Sequence, residues 1–272
     1  MIKRITFNVA LIIQIGLIIV PFLLVFAYIG YETFQNRYQQ ELQTNLEVAN
    51  AVETIFERFV QDVLRQEASI GNILKISRLL TLEDINILLA RSRDEYKSIR
   101  TFRWVNPRGI IIASDMRGAI GYDLSHFFYI KEIINGKDWV ISDLYRSILT
   151  NELVFTISRA VRSDSGALQG IIVAVVDEAH LDQEFSLYRS SGGGISLIDS
   201  KGMLVYRFPR ITASWAERNW LKIFPQIEKA LHGNQYMGTA FAPFEGKERI
   251  FAYTPVAFGW VAVAGRTKEK VT

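Results

Sequence analysis

The sequence predicts an α+β protein with an N-terminal transmembrane helix, a long stalk helix and two tandem lobes built on antiparallel sheets. Three observations predict it. Residues 5–31 form an uncharged, mostly apolar run. Residues 31–68 keep helical spacing without a Gly or Pro. The phrase VNPRGIIIASD at 105–115 returns as LIDSKGMLVYR at 197–207, and each copy opens the same order of elements.

The apolar run comes first. As a helix its 27 residues reach about 40 Å, more than the ~30 Å of a hydrocarbon core. A cleaved signal peptide has a shorter apolar region and a small-residue cleavage site. FAYIGYETFQNRY supplies no such site. Pro21 lies mid-span, where membrane helices tolerate it. Lys3 and Arg4 precede the run, so the positive-inside bias puts the N-terminus in the cytoplasm and the remainder outside. The expected anchor in the membrane is residues 5–31.

The stalk follows. Phe34, Tyr38, Leu42, Leu46, Ala49, Val52, Phe56, Phe59 and Val63 recur every three or four residues and draw one apolar stripe. The upper half of that stripe is expected to pack on its own lobes. The part from Phe34 to Leu46 reads equally well as a surface for a second copy, giving a homodimer through the stalk.

A helix is expected at 82–96. Strands are expected at 101–105, 109–114, 138–142, 152–161 and 168–177, where β-branched and aromatic residues lie between Gly, Pro, Asn or Asp. A short helix at 124–135 ends at Gly136. Ser190, Ser191 and Gly192–Gly194 read as flexible punctuation. A second set follows, with strands at 195–199, 203–207, 237–241, 249–254 and 259–265 and a helix at 218–232. The matching order indicates an internal duplication, each sheet carrying its helices on one side.

Composition excludes several functions. There is no cysteine, so neither disulfides nor thiolate metal sites are available. His126, His180 and His232 are far apart and form no ligand motif. A net charge of +3 with mixed signs offers no nucleic-acid surface. No catalytic motif stands in these residues, so no enzyme is expected, and no cofactor or metal is implied.

Residues IGYDLSHFFYIKEIINGKDWVISD (120–143) and VFTISRAVRSDSGALQGIIVAVVD (154–177) resemble the double Cache family of bacterial extracytoplasmic sensor domains. The resemblance extends over about 30–268. It implies a bacterial inner membrane crossed by a helix (1–31, with a cytoplasmic tip), a stalk (32–68), a membrane-distal PAS-like lobe that holds ligand (69–189) and a membrane-proximal lobe (192–268). It also implies that the chain, stopping at TKEKVT, is part of a longer receptor of histidine kinase, diguanylate cyclase or chemoreceptor type. A membrane-anchored partner-binding domain without a small ligand is the other reading.

The family's amino-acid-binding members hold the ligand carboxylate with an Arg-x-Trp-Tyr tetrad and the ammonium with two acids. Laid on this sequence, the tetrad falls on Phe127, Phe128, Tyr129 and Ile130, and the Arg is missing. The acids fall on Asp143 and Asp177. Candidate ligand contacts are therefore Phe127, Tyr129, Trp139, Asp143, Arg159 and Asp177. Without the Arg, an amine-like ligand is preferred over an amino acid or small carboxylate. In the rival reading Arg103, Arg146 or Arg159 replaces the missing donor. Asp143 and Asp177 read equally as caps, whereas Phe127 and Tyr129 read more readily as core than as ligand contacts. In the second lobe Tyr206, Arg207, Trp215, Arg218, Arg249 and Tyr253 form an Arg–aromatic set, expected to be structural packing.

Overall fold

The computed structural model describes residues 2–76, 79–185 and 193–270; the side chains it describes exclude those of 2–15, 117 and 270. Ser190, Ser191 and Gly192 of the expected punctuation lie outside the described residues, whereas Gly193 and Gly194 belong to a strand.

Membrane run and stalk are one helix, α1 (Ile2–Ile76), eight residues longer than the expected stalk end at 68. At ~1.5 Å per residue its 75 residues reach about 110 Å. From Leu17 to Tyr31 its large apolar side chains are exposed. Its segment from Gly16 on contains a window long and apolar enough to cross a membrane. Above that, the apolar stripe is half-buried at Phe34, Tyr38 and Leu46 and buried at Leu42 and from Ala49 to Val63. Leu42 packs with Ile250, Tyr38 and Met237. The Tyr38 hydroxyl meets Thr239 Oγ1 at 2.9 Å. Asn45 donates to the Ile250 carbonyl. Much of the stretch expected to face a second copy therefore packs on the chain's own second lobe.

Helix α2 (Leu82–Asp94) starts with a capping box in which Thr81 and Asp84 bond each other's backbone amides. The first sheet is β1 (Ile99–Val105), β2 (Ile111–Ser114), β3 (Trp139–Ile141), β4 (Tyr145–Arg146), β5 (Leu153–Arg162) and β6 (Leu168–Asp177). Its order is β2-β1-β6-β5-β3, with β4 beside β5. Helix α3 is Phe128–Ile134, shorter than the 124–135 expected. The second sheet is β7 (Gly193–Ile198), β8 (Leu204–Phe208), β9 (Tyr236–Ala242), β10 (Lys247–Pro255) and β11 (Val261–Thr267), in the order β8-β7-β11-β10-β9. The two orders coincide strand for strand. The helix expected at 218–232 is two short ones, α4 (Trp220–Ile223) and α5 (Ile227–Leu231), with Pro225 between them.

The echoed phrases fold alike, bond for bond. Asn106 Oδ1 accepts from the amides of Arg108 and Ile110, and Asp199 Oδ1 from those of Lys201 and Met203. Gly109 and Gly202 both take positive φ, at 89° and 77°. The Gly109 carbonyl accepts from Leu124 N, and that of Gly202 from Leu221 N. Each turn is thus an Asx turn that docks the chain leading to the next helix.

Helices cover both faces of each sheet, not one. Helices α1 and α2 close one face, where Phe102, Trp104, Phe155, Ile157, Leu197 and Ala262 join a core running through both lobes. At its centre Phe56 stacks on Trp260 at 5.0 Å and meets Phe155 edge-on at 6.0 Å. Helix α3 closes the opposite face of the first sheet over Val105, Val154 and Val173. Helices α4 and α5 do the same for the second.

Candidate functional site

Strand parity decides which side chains meet, because successive residues point to opposite faces. On β1, Phe102 and Trp104 face α1, so Arg103 faces α3. On β5, Phe155 and Ile157 face α1, so Thr156 and Ser158 join Arg103 on the α3 face. Three rings lie over them. Phe127 is 5.5 Å from Tyr129 and 5.6 Å from Tyr145, and the two tyrosines are 6.4 Å apart.

This enclave is polar at its floor and unsatisfied. Arg103 is 4% exposed. Its Nε and Ser158 Oγ are buried and have no hydrogen-bond partner among the described residues, and the buried Tyr129 hydroxyl and Thr156 Oγ1 have only the Tyr145 hydroxyl beside them. Burial, then the neighbouring Tyr145 hydroxyl, raises the Tyr129 phenol well above its ordinary pKa, while the Arg103 charge acts in the opposite sense. Among the described residues no carboxylate lies within 4 Å of Arg103. A buried guanidinium without a counter-charge costs several kcal/mol. What this group lacks is an anion with acceptor oxygens.

The sequence-selected residues divide among four places. Phe127 and Tyr129 belong to the enclave; Phe128, between them, points outward and is 63% exposed. Asp177 is 4% exposed and already paired, to Arg100 at 2.8 Å and His180 at 3.1 Å. It also caps the following turn by accepting from Ala179 N. Burial raises its pKa, but bonds to Arg100 and Ala179 outweigh burial, so the net shift is downward. Asp143 ties the lobes together. Its Oδ1 accepts from Ser200 N and Oγ, at 3.2 and 2.6 Å, and its Oδ2 lies 3.3 Å from Lys201 Nζ. Both acids assigned to an ammonium are thus engaged by the protein's own donors.

Trp139 and Arg159 sit cross-strand on the face opposite Arg103. Arg159 lines a cavity of about 280 Å³ beneath α1, together with Glu67 and Lys75. Glu67 is fully buried, and its Oε2 has no hydrogen-bond partner among the described residues. Burial pushes its carboxyl well above the ordinary range. Trp139 lines a separate cavity of about 290 Å³ between the lobes, with Phe128, Asp143, Ser200, Phe258 and Trp260. Arg146 is exposed and bonds the Asn151 carbonyl.

In the second lobe, Arg207 and Arg249 share Glu245, and Arg218 donates to the Leu204 carbonyl at 2.9 Å. Tyr206 stacks on Phe185 at 5.0 Å, Tyr253 is buried and Trp215 is 42% exposed. Arg100, which also pairs with Glu152, went unnoticed in the sequence. Tyr145, Thr156 and Ser158 did too.

Two copies of one sheet on a membrane-length helix, the first holding a buried cation without a partner, make up a tandem-lobe sensory module. The chain belongs to the Cache domain family, whose profile matches residues 31–272. The family's domains are sensory, not catalytic. The extracellular domain of rpHK1S-Z16, named as a histidine kinase, matches with a TM-score of 0.67 at 19% identity, over 86% of this chain and 95% of that one. The ligand-binding domain of Campylobacter jejuni chemoreceptor Tlp3 with L-norvaline matches at 0.62 and 12%, over 87% and 94%. That of Pseudomonas fluorescens chemoreceptor CtaA with L-isoleucine matches at 0.63 and 14%, over 87% and 94%. At these identities the likeness is one of fold. No curated protein matches the sequence.

Proposed function

We propose that this chain is the extracytoplasmic sensing module of a membrane-bound signal-transduction receptor, anchored through residues 5–31, with its ligand site around Arg103 in the distal lobe. The observation that carries the reading is the buried, unpaired Arg103 among unsatisfied hydroxyls. That chemistry favours a small carboxylate or another carboxylate-bearing molecule. It reverses the preference for an amine at this place, since Asp177 is paired with Arg100 and Asp143 lies at the lobe boundary beside Ser200, so neither acid faces Arg103. The three neighbours whose rings close over Arg103 part to admit ligand. A carboxylate that binds only the opened state shifts the population toward it. Helix α1, packed on both sheets, carries the change toward the membrane. The kinase, cyclase and chemoreceptor types are equally compatible with this scheme.

Isothermal titration of the full chain in nanodiscs against short carboxylates tests the reading. Arg103→Gln is expected to weaken binding by roughly one to two decades, the weight of charge-assisted hydrogen bonds. Unchanged binding by the variant contradicts the assignment.

Pairing of two chains is proposed below Tyr38, because above it the apolar stripe is spent on the chain's own lobes. The chain has no cysteine, so single replacements report directly. Phe34→Cys is expected to cross-link in membranes and Val52→Cys, fully buried, is not. The reverse result contradicts the interface.

A further inference from the structure

The cavity between the lobes has walls of a kind the Arg103 enclave lacks. It is about 290 Å³, and its rings come from three elements: Phe128 from α3, Trp139 from β3, and Phe258 and Trp260 from the turn between β10 and β11. Trp139 and Phe258 meet edge-to-face, with centroids 6.2 Å apart. Asp143 supplies a carboxylate to the same wall. Behind it lies Asp199, fully buried, whose Oδ2 accepts from Leu144 N across the lobe boundary.

The cations near the cavity are weak competitors. Lys137 lines it but is held by Glu132 at 2.7 Å. Lys201 touches Asp143 at 3.3 Å with its side chain 75% exposed. An ion pair this exposed contributes little and exchanges readily. Lys201 thus stands where an incoming ammonium would stand. Aromatic rings beside a carboxylate form an environment that attracts ammonium groups through both ring quadrupole and charge.

We propose that this cavity is a second small-molecule site, for an organic ammonium that displaces Lys201 from Asp143 and lies among Trp139, Phe258 and Phe128. The bound cation touches both lobes at once and clamps them together. The site is independent of the anion enclave, which lies within the distal lobe alone.

Tryptophan fluorescence of the full chain in nanodiscs, titrated with choline and benzylamine, tests it. Their uncharged counterparts, 3,3-dimethylbutanol and benzyl alcohol, are the controls. Saturable binding of at least one amine is expected, with its neutral counterpart roughly tenfold weaker or more. Asp143→Asn keeps an acceptor for Ser200 and is expected to fold, with amine affinity down by about tenfold. Lys201→Gln removes the internal competitor and is expected to tighten binding several-fold, an effect no structural role of Lys201 produces. The amine titrations are run without carboxylate and the carboxylate titration is read separately, so failure here and failure of the anion site are told apart. The proposal is overturned if neither amine saturates, if the alcohols bind as well as the amines, or if Lys201→Gln fails to tighten binding.

Discussion

Arg103 and Arg159 show what a single residue's place in a strand decides. Both are arginines in β-rich stretches, and both were candidates from sequence. Parity sends Arg103 to the α3 face and Arg159 to the α1 face. Nothing in TFRWV discloses this, because nearly all of β1 is buried and the usual apolar–polar alternation is absent. Asp143 and Asp177 were legible as acids at strand ends, and the capping alternative for Asp177 matches the bond it makes to Ala179. Their partners Ser200 and Arg100 are 57 and 77 residues away, beyond the reach of local pattern.

Asp199 belongs to the same scale. Burial lifts its carboxyl to about 6 from an ordinary 3.8, against its backbone donors and with Asp143 adding to the rise. A folded pKa above the unfolded one means the unfolded chain ionises first. The contribution is therefore complete below about pH 4 and lost as pH climbs through about 6. Chemical denaturation of wild type and Asp199→Asn across this range checks it. Wild-type stability relative to the variant is expected to fall by roughly 2–3 kcal/mol between pH 4 and 7. A relative rise contradicts the assignment.

At the scale of elements, the duplicated turn was the clearest message in the sequence. Its meaning is steric as well as conformational. A Cβ on Gly202 would lie 2.3 Å from Leu221 Cβ, and one on Gly109 would lie 2.7 Å from Ser125 Cα. Each glycine combines positive φ with a close docking contact. Gly202→Ala is expected to cost more than about 1 kcal/mol, through strain and loss of that docking. Gly246→Ala, which has positive φ but meets no atom within 4 Å, is the milder comparison by thermal unfolding. Equal costs for the two would remove the docking argument. The strands were legible because their short β-rich runs are bounded by turn residues. The two-residue β4 was missed, being too short for a pattern. The far-face helices were legible from their own segments, but their placement opposite α1 and α2 was not, because the central strands are buried on both faces and show no one-sided pattern. Helix α1 outran its expected end because Gly71, whose Cβ would lie 2.8 Å from Val161 Cγ2, is a close-packing point rather than a stop.

Across the whole molecule the two lobes and the long helix share one core. Phe56 is fully buried where β5, the turn between β10 and β11, and α1 converge. Phe56→Ala is expected to cost about 3–5 kcal/mol. Because the core is common, calorimetry is expected to find both lobes weakened together; loss confined to one lobe contradicts a shared core. Against this rigid frame the unsatisfied enclave around Arg103 stands out as the place where the ligand-free protein is incomplete. The most direct test is thermal unfolding of the full chain in nanodiscs, wild type against Arg103→Met, with and without short carboxylates. Removing an uncompensated buried charge is expected to raise the ligand-free midpoint, and the variant is expected to lose the carboxylate-induced rise that wild type shows. A variant that is less stable than wild type without ligand, and still stabilised by carboxylates, would contradict the account.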